Sequence, residues 1–220
     1  MDGNSRSHGA MTESWAPYDR EAEALAAQYE ALPFEIIHAA LLERLPEPPA
    51  PVLDVGAGSG RDAAWFALRG HPVVAVEPSA GMRAEAQGRH PNPAIQWVAD
   101  ALPDLAGLAA GAGFDLVLLS GVWMHVPPAD RPRTLRTLAD RLSPVGRLAI
   151  TLRHGPAPPG RGFHPVSAAE LIDLATPLGL TLLCRADEPD ALQRPGVSWT
   201  TLVFQVAGGT GLGSGVKTKP

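Results

Sequence analysis

Between residues 52 and 206 the chain alternates short apolar runs with segments whose apolar residues recur at helical spacing, and this alternation constrains the fold more than any other feature. The runs fall at 52–55, 72–76, 95–98, 114–120 and 147–152, with two more at 180–185 and 199–206. The first five are continuously hydrophobic rather than alternating with polar residues. Strands of that kind are buried on both faces, as in a parallel sheet with helices packed on either side. The expected architecture is therefore an α/β, doubly wound, Rossmann-like sheet.

The helical segments carry start and stop signals. A first helix has Asp19 as a plausible cap and Ala22, Leu25, Ala26 and Tyr29 on one face. A second spans about 34–44 and ends before Pro46, Pro48, Pro49 and Pro51. The segment 130–142 begins with Asp130 and Pro132 and aligns Leu135, Leu138, Ala139 and Leu142; its Arg131, Arg133, Arg136 and Arg141 are expected on a solvated face. The segment 167–178 opens with a Ser167 and Glu170 capping box and closes at Gly179.

At 220 residues, 45% hydrophobic, the chain suits one domain, expected over 15–207, with flexible extensions at 1–14 and 208–220. Sixteen of its eighteen basic residues are arginine, and both lysines, Lys217 and Lys219, fall in the last extension. A net charge of −5 argues against a nucleic-acid partner. No apolar run is long enough for a membrane span, and Cys184 stands alone, so the expected setting is the cytoplasm. The sequence sets no oligomeric state.

The sharpest chemical signal is Val52-Leu53-Asp54-Val55-Gly56-Ala57-Gly58-Ser59-Gly60, a strand running into a glycine turn, followed by a helix over 61–69. Glycines there permit left-handed torsions and close approach of a ligand, and the helix start offers free N–H groups. Glu77, seventeen residues after Gly60, ends the next strand, where an acid can accept hydrogen bonds from ribose hydroxyls. A dinucleotide fingerprint would need a small residue at position 61, which is arginine.

The spacing G-x-G-x-G, with Asp54 two residues before Gly56, resembles motif I of the class I S-adenosylmethionine-dependent methyltransferases. The likeness extends over about 15–206 and implies seven strands, mostly parallel, with the last antiparallel. It implies that S-adenosyl-L-methionine lies against Asp54, Gly56, Ala57, Gly58, Glu77, Pro78, Met82, Asp100, Ala101, Ser120 and Val122. Glu77 would hold the ribose and Asp100 the adenine amino group; Asp100 reads equally as a turn or cap aspartate. Arg61 and Asp62 resemble the Arg-Asp pair of small bacterial members, including the tellurite-resistance type, with Arg61 near the cofactor carboxylate or facing solvent. Trp15, Tyr18, Asp19 and Tyr29 resemble the entry segment of small-molecule methyltransferases, in which Tyr18 would cover the cofactor and Tyr29 would join the core.

Ligands of open α/β sheets bind beyond the carboxyl ends of the strands. The acceptor is therefore expected near Trp123, His125, Arg153, His154 and His164, under a lid formed by the proline- and glycine-rich stretch 154–165. His125 is the candidate base or orienting group, with packing alone as the alternative. No carboxylates support a metal site among these histidines, and none is expected. The expected activity is in-line methyl transfer to a small molecule. A peptide acceptor, and a cofactor-binding protein without transfer activity, are the alternatives.

Overall fold

The computed structural model describes residues 15–108 and 113–208. The expected 1–14 extension, and all of the expected 208–220 tail except Gly208, lie outside the described residues.

Seven strands form one sheet: β1 (Val52–Val55), β2 (Val73–Val76), β3 (Ile95–Val98), β4 (Phe114–Leu119), β5 (Leu142–His154), β6 (Leu180–Pro189) and β7 (Ser198–Val206). Their order is β3-β2-β1-β4-β5-β7-β6. The first five are parallel, and β7 runs antiparallel to both β5 and β6. The continuous apolar runs have a direct physical cause, because successive side chains of a strand point to opposite faces. Leu53, Val117, Leu148 and Ile150 join one core layer, while their neighbours Val52, Leu116, Leu118 and Ala149 join the other. At about 1.5–3 kcal/mol for each such side chain fully buried, a one-residue slip of a central strand would put every contact in the wrong layer.

The helices are α1 (Ala22–Glu30), α2 (Phe34–Ile37), α3 (Arg61–Leu68), α4 (Ala80–Arg89), α5 (Arg131–Ala139) and α6 (Ala168–Ala175). A further helical stretch at 15–20 precedes α1. Ser167 caps α6 as the sequence indicates, accepting from the Glu170 amide, and Gly179 follows it with φ +73°. None of the described helices is long and apolar enough to cross a membrane.

Several expectations are corrected. Asp19 does not cap α1. Helical structure already begins at residue 15, and the Asp19 carboxylate instead accepts from Ser79 Oγ (2.7 Å) and the Gly81 amide (2.9 Å) at the start of α4. Asp130 makes no side-chain cap. Arg131 and Arg141 are buried rather than solvated: Arg131 pairs with Glu170 at 2.6 Å, and Arg141 donates to the Leu105 carbonyl at 3.1 Å. Strand β5 outruns its apolar segment at both ends, where Leu142 pairs with Phe114 of β4 and Arg153 and His154 pair with Trp199 and Ser198 of β7. Strand β6 outruns its own where residues 186–189 pair with β7 while staying part-exposed.

Candidate active site

The strand order reverses between β1 and β4, and a cavity of about 740 Å³ opens beyond the carboxyl ends of the strands there. Its floor is the glycine turn. At Gly56 (φ +74°) a Cβ would overlap the Val122 side chain, so only glycine fits. At Gly58 (φ +56°) the nearest atoms to a Cβ would be Tyr29 and Met82 at 3.7–3.9 Å, so this bare backbone faces open space between those two side chains.

Glu77 sits beside that turn. One carboxylate oxygen accepts from the Gly58 amide and the other from the Ser79 amide, each at 2.8 Å. Burial nevertheless raises its pKa above the usual carboxylate range, against the pull of those two amides. Each oxygen keeps a free lone pair, which is the arrangement a vicinal diol can use. Pro78, Met82, Ala57, Ala101, Ser120 and Val122 also line the cavity.

Under the turn lies a buried polar knot. Asp62 accepts from His38 Nε2 at 2.9 Å and from Arg61 Nε at 2.7 Å. Burial opposes its ionisation, but these two partners win and hold its pKa below the ordinary value. Asp54, one strand position from Leu53, has one carboxylate oxygen with no hydrogen-bond partner. Burial, then the Asp62 charge, pushes its pKa well up. Asp54 does not line the cavity; it stands behind the turn, on the α3 side. Arg61 faces the cavity but is also tied down, donating to the Tyr29 carbonyl at 3.0 Å. Asp100 lines the cavity while its two oxygens accept from the Ala101 and Gly107 amides, both at 2.7 Å, as a turn aspartate does.

The other end of the cavity is aromatic and cationic. Tyr18 Oη and His125 Nε2 are 3.0 Å apart, and Phe163 meets the His125 ring edge-on at 4.8 Å. Burial, then the nearby Arg161 and His164, lowers the His125 pKa to about 4. Burial likewise drives the Tyr18 phenol up. At neutral pH this pair is uncharged. The Arg161 guanidinium lies 4.2 Å from the Tyr18 ring centre and bonds Glu21 at 2.6 Å, and Arg153 lies 5.4 Å from the Phe163 ring.

Three expected acceptor residues are placed elsewhere. His154 follows Arg153 on a strand, so it points to the opposite side and bonds Thr200 Oγ1 at 2.8 Å. Trp123 is fully buried in the core, while its neighbours Val122, Met124 and His125 face the cavity. His164 contributes its amide to the Met124 carbonyl at 2.8 Å, and its side chain does not line the cavity. Tyr29, expected in the core, stands on α1, packs on the cluster of Ala22, Ala26 and Met82, and also reaches the cavity beside Gly58.

Sequence reasoning missed the wall built by the turn between β6 and β7. There Asp190 accepts from the Arg194 amide and guanidinium and from Trp199 Nε1 at 2.8 Å, and Leu192, Arg194 and Trp199 face the cavity. The i, i+4 spacing of Asp190 and Arg194 was the one available signal. Among the described residues, no group of three His, Cys, Asp or Glu side chains is placed to hold a metal ion.

This strand order, a glycine turn after β1 and an acid ending β2 define the class I S-adenosylmethionine-dependent methyltransferase fold. Residues 52–146 match the methyltransferase domain family. Over 100 residues it is 36% identical to uncharacterized methyltransferases of Mycobacterium tuberculosis and Mycobacterium bovis, covering 45% of this chain and 48% of those. The chain thus spans about half the length of the curated relatives it matches. Among solved structures it is similar to the Burkholderia thailandensis 1,6-didemethyltoxoflavin-N1-methyltransferase, with a TM-score of 0.68, 23% identity, and 94% and 92% of the two chains covered. A TehB-like methyltransferase of Corynebacterium glutamicum aligns with a TM-score of 0.62 and 22% identity, over 84% of this chain and 97% of its own. These two likenesses are of fold.

Proposed function

We propose that this protein is an S-adenosyl-L-methionine-dependent methyltransferase acting on a small molecule. The observation that carries the reading is Glu77, a buried carboxylate with each oxygen steadied by one amide, next to the open face of Gly58. That pairing suits a ribose diol over bare backbone. Gly56, Ala57 and Gly58 would lie under the cofactor, Pro78, Met82 and Ala101 along its nucleoside, and Ser120, Val122, Arg61 and Asp62 near its amino-acid end. The cofactor supplies an electrophilic methyl group on a sulfonium. Asp54 supports this cradle from behind the turn, and Asp100, on the cavity wall, holds it through the Ala101 and Gly107 amides.

The protein's own task is alignment and exclusion of water, since displacement at a methyl carbon asks for no covalent help. Tyr18, Phe163 and Arg161 cover the far end, and His125 with Tyr18 orients the acceptor. The cavity volume falls within the range of small-molecule sites. The 1,6-didemethyltoxoflavin enzyme, a methyltransferase named for a small heterocycle, is consistent with this choice. The net charge of −5 weighs against a nucleic-acid acceptor. The site draws on residues from Trp15 to Thr201, which supports 15–207 as the working domain, and the lone Cys184 fits a cytoplasmic setting.

Isothermal titration with S-adenosyl-L-methionine, on the native chain and on Glu77→Ala, tests the cofactor assignment. Equal binding by both proteins would remove Glu77 from the ribose. Labelled methyl transfer to a metabolite extract but not to a peptide pool is the outcome expected for the acceptor class. Transfer to the peptides alone would reverse it.

A further inference from the structure

At the acceptor end of the cavity, two arginines keep buried guanidinium nitrogens that no residue answers. Four arginines line the cavity, and three have assigned partners. Arg61 pairs with Asp62, Arg194 with Asp190, and Arg161 with Glu21. Arg153 has no carboxylate within ion-pair distance among the described residues. It is buried to 7% exposure, donates from one terminal nitrogen to the Pro156 carbonyl at 2.9 Å, and keeps a buried Nε with no partner. Arg161, at 8% exposure, likewise keeps one terminal nitrogen buried and unpartnered. A buried guanidinium donor left without an acceptor costs on the order of 1–3 kcal/mol, so two of them at one end of one cavity indicate that an acceptor belongs there.

Flat surfaces flank these donors. Phe163 lies between Arg153 and His125, Arg161 covers the Tyr18 ring, and Trp199, the cross-strand neighbour of Arg153, stands beside Gly121. We propose, on the basis of the methyltransferase reading above, that the acceptor is a flat aromatic molecule bearing a carboxylate or similar oxyanion, which Arg153 binds and Arg161 assists. Arg153 lies on β5 and Arg161 in the stretch behind it, so the anion would be gripped from the sheet and from the lid together. The neutrality of the Tyr18–His125 pair fits the same arrangement. Burial lowers the His125 pKa to about 4, so the pair adds no charge that would compete for the anion.

The test uses the full chain saturated with S-adenosylhomocysteine and titrated calorimetrically with benzoate, nicotinate and indole-3-carboxylate, each beside its primary amide. At least one acid should bind tenfold or more tightly than its amide. Arg153→Met should abolish that preference, and Arg153→Lys should restore part of it. Thermal melting of each variant identifies any that is misfolded, and Arg161→Met then provides the second reading of the same preference. Amides binding as well as acids, no acid binding at all, or an unchanged preference in a folded Arg153→Met protein would each overturn the proposal. Failure of S-adenosylhomocysteine itself to bind would instead count against the methyltransferase reading, which separates the two.

Discussion

Gly56 shows how little freedom a single position can have in this protein. Its φ of +74° suits glycine, and the space where a Cβ would stand belongs to Val122. A left-handed torsion costs an ordinary residue about 1–2 kcal/mol before any overlap is counted. Gly56→Ala is therefore expected to destabilise the chain by at least about 2 kcal/mol in urea unfolding and to remove S-adenosylhomocysteine binding. Adding Val122→Ala should restore part of the stability, because the overlap is relieved while the torsion remains. His125 offers a test of a different kind. Burial lowers its pKa from 6.5 to about 4, so the unfolded chain takes up a proton there before the folded one does. Its contribution is neutral above pH 6.5 and turns unfavourable as pH falls towards 4, reaching up to about 2 kcal/mol at pH 5. His125→Phe should lose less stability than the native chain between pH 7.5 and 5, measured as the shift in urea midpoint. Identical pH dependence in both would show that the ring is solvated. At this scale the sequence was partly readable. The fold brings the glycine turn and Glu77 into contact, and both stand out by spacing alone. Adjacent histidines and arginines of a strand end do not, since a shift of one position decides between cavity and exterior, and that decision separates Arg153 from His154.

Among the elements, the helical stretch 15–20 and α4 are joined by one carboxylate. Asp19 accepts from Ser79 Oγ and from the Gly81 amide, and Ser79 Oγ in turn caps α4 by accepting from the Met82 amide at 3.1 Å. The segment carrying Tyr18 is thereby fixed against the helix carrying Met82, and Tyr18 packs on the small cluster that Met82 forms with Ala22 and Ala26. Asp19→Ala is expected to weaken this docking by about 1–2 kcal/mol, seen as faster amide exchange over 15–30 and a several-fold loss of S-adenosylhomocysteine affinity. Exchange confined to residues 15–20 would mean that α1 docks independently. The sequence shows Asp19 as a capping residue, and it does serve a helix start, but that of α4 rather than its own neighbour. Capping preference is local chemistry and does not say which helix end will be near. The same limit hid the wall from Asp190 to Trp199, whose loop residues have neither periodicity nor a strand signature. By contrast the central strands and their burial were legible, because two-faced burial leaves an unbroken apolar run that no loop or surface helix needs.

For the molecule as a whole, the cavity is assembled from both ends of the domain, with Tyr18 and Tyr29 lining it together with Arg194, Trp199 and the ends of the central strands. Ligand binding should therefore stabilise distant segments together. At a hundredfold excess of S-adenosylhomocysteine over its Kd, a gain of about 2.7 kcal/mol is expected, visible as a rise in Tm. Amide exchange should slow jointly over 15–36, 155–163 and 188–199. Protection limited to the glycine turn would mean that the far walls do not respond to the cofactor.

The position of β7 has a consequence for the order of assembly. It is the final strand of the described chain, yet it sits inside the sheet, separating β5 from β6. Until residues 198–206 have been made, the long strand β5 has an unsatisfied edge and β6 has nothing to pair with. Trp199 and Thr201 arrive with the same strand. A chain emerging from the ribosome thus closes its sheet and completes its binding cavity in a single late event, and a product broken off before residue 198 would have neither.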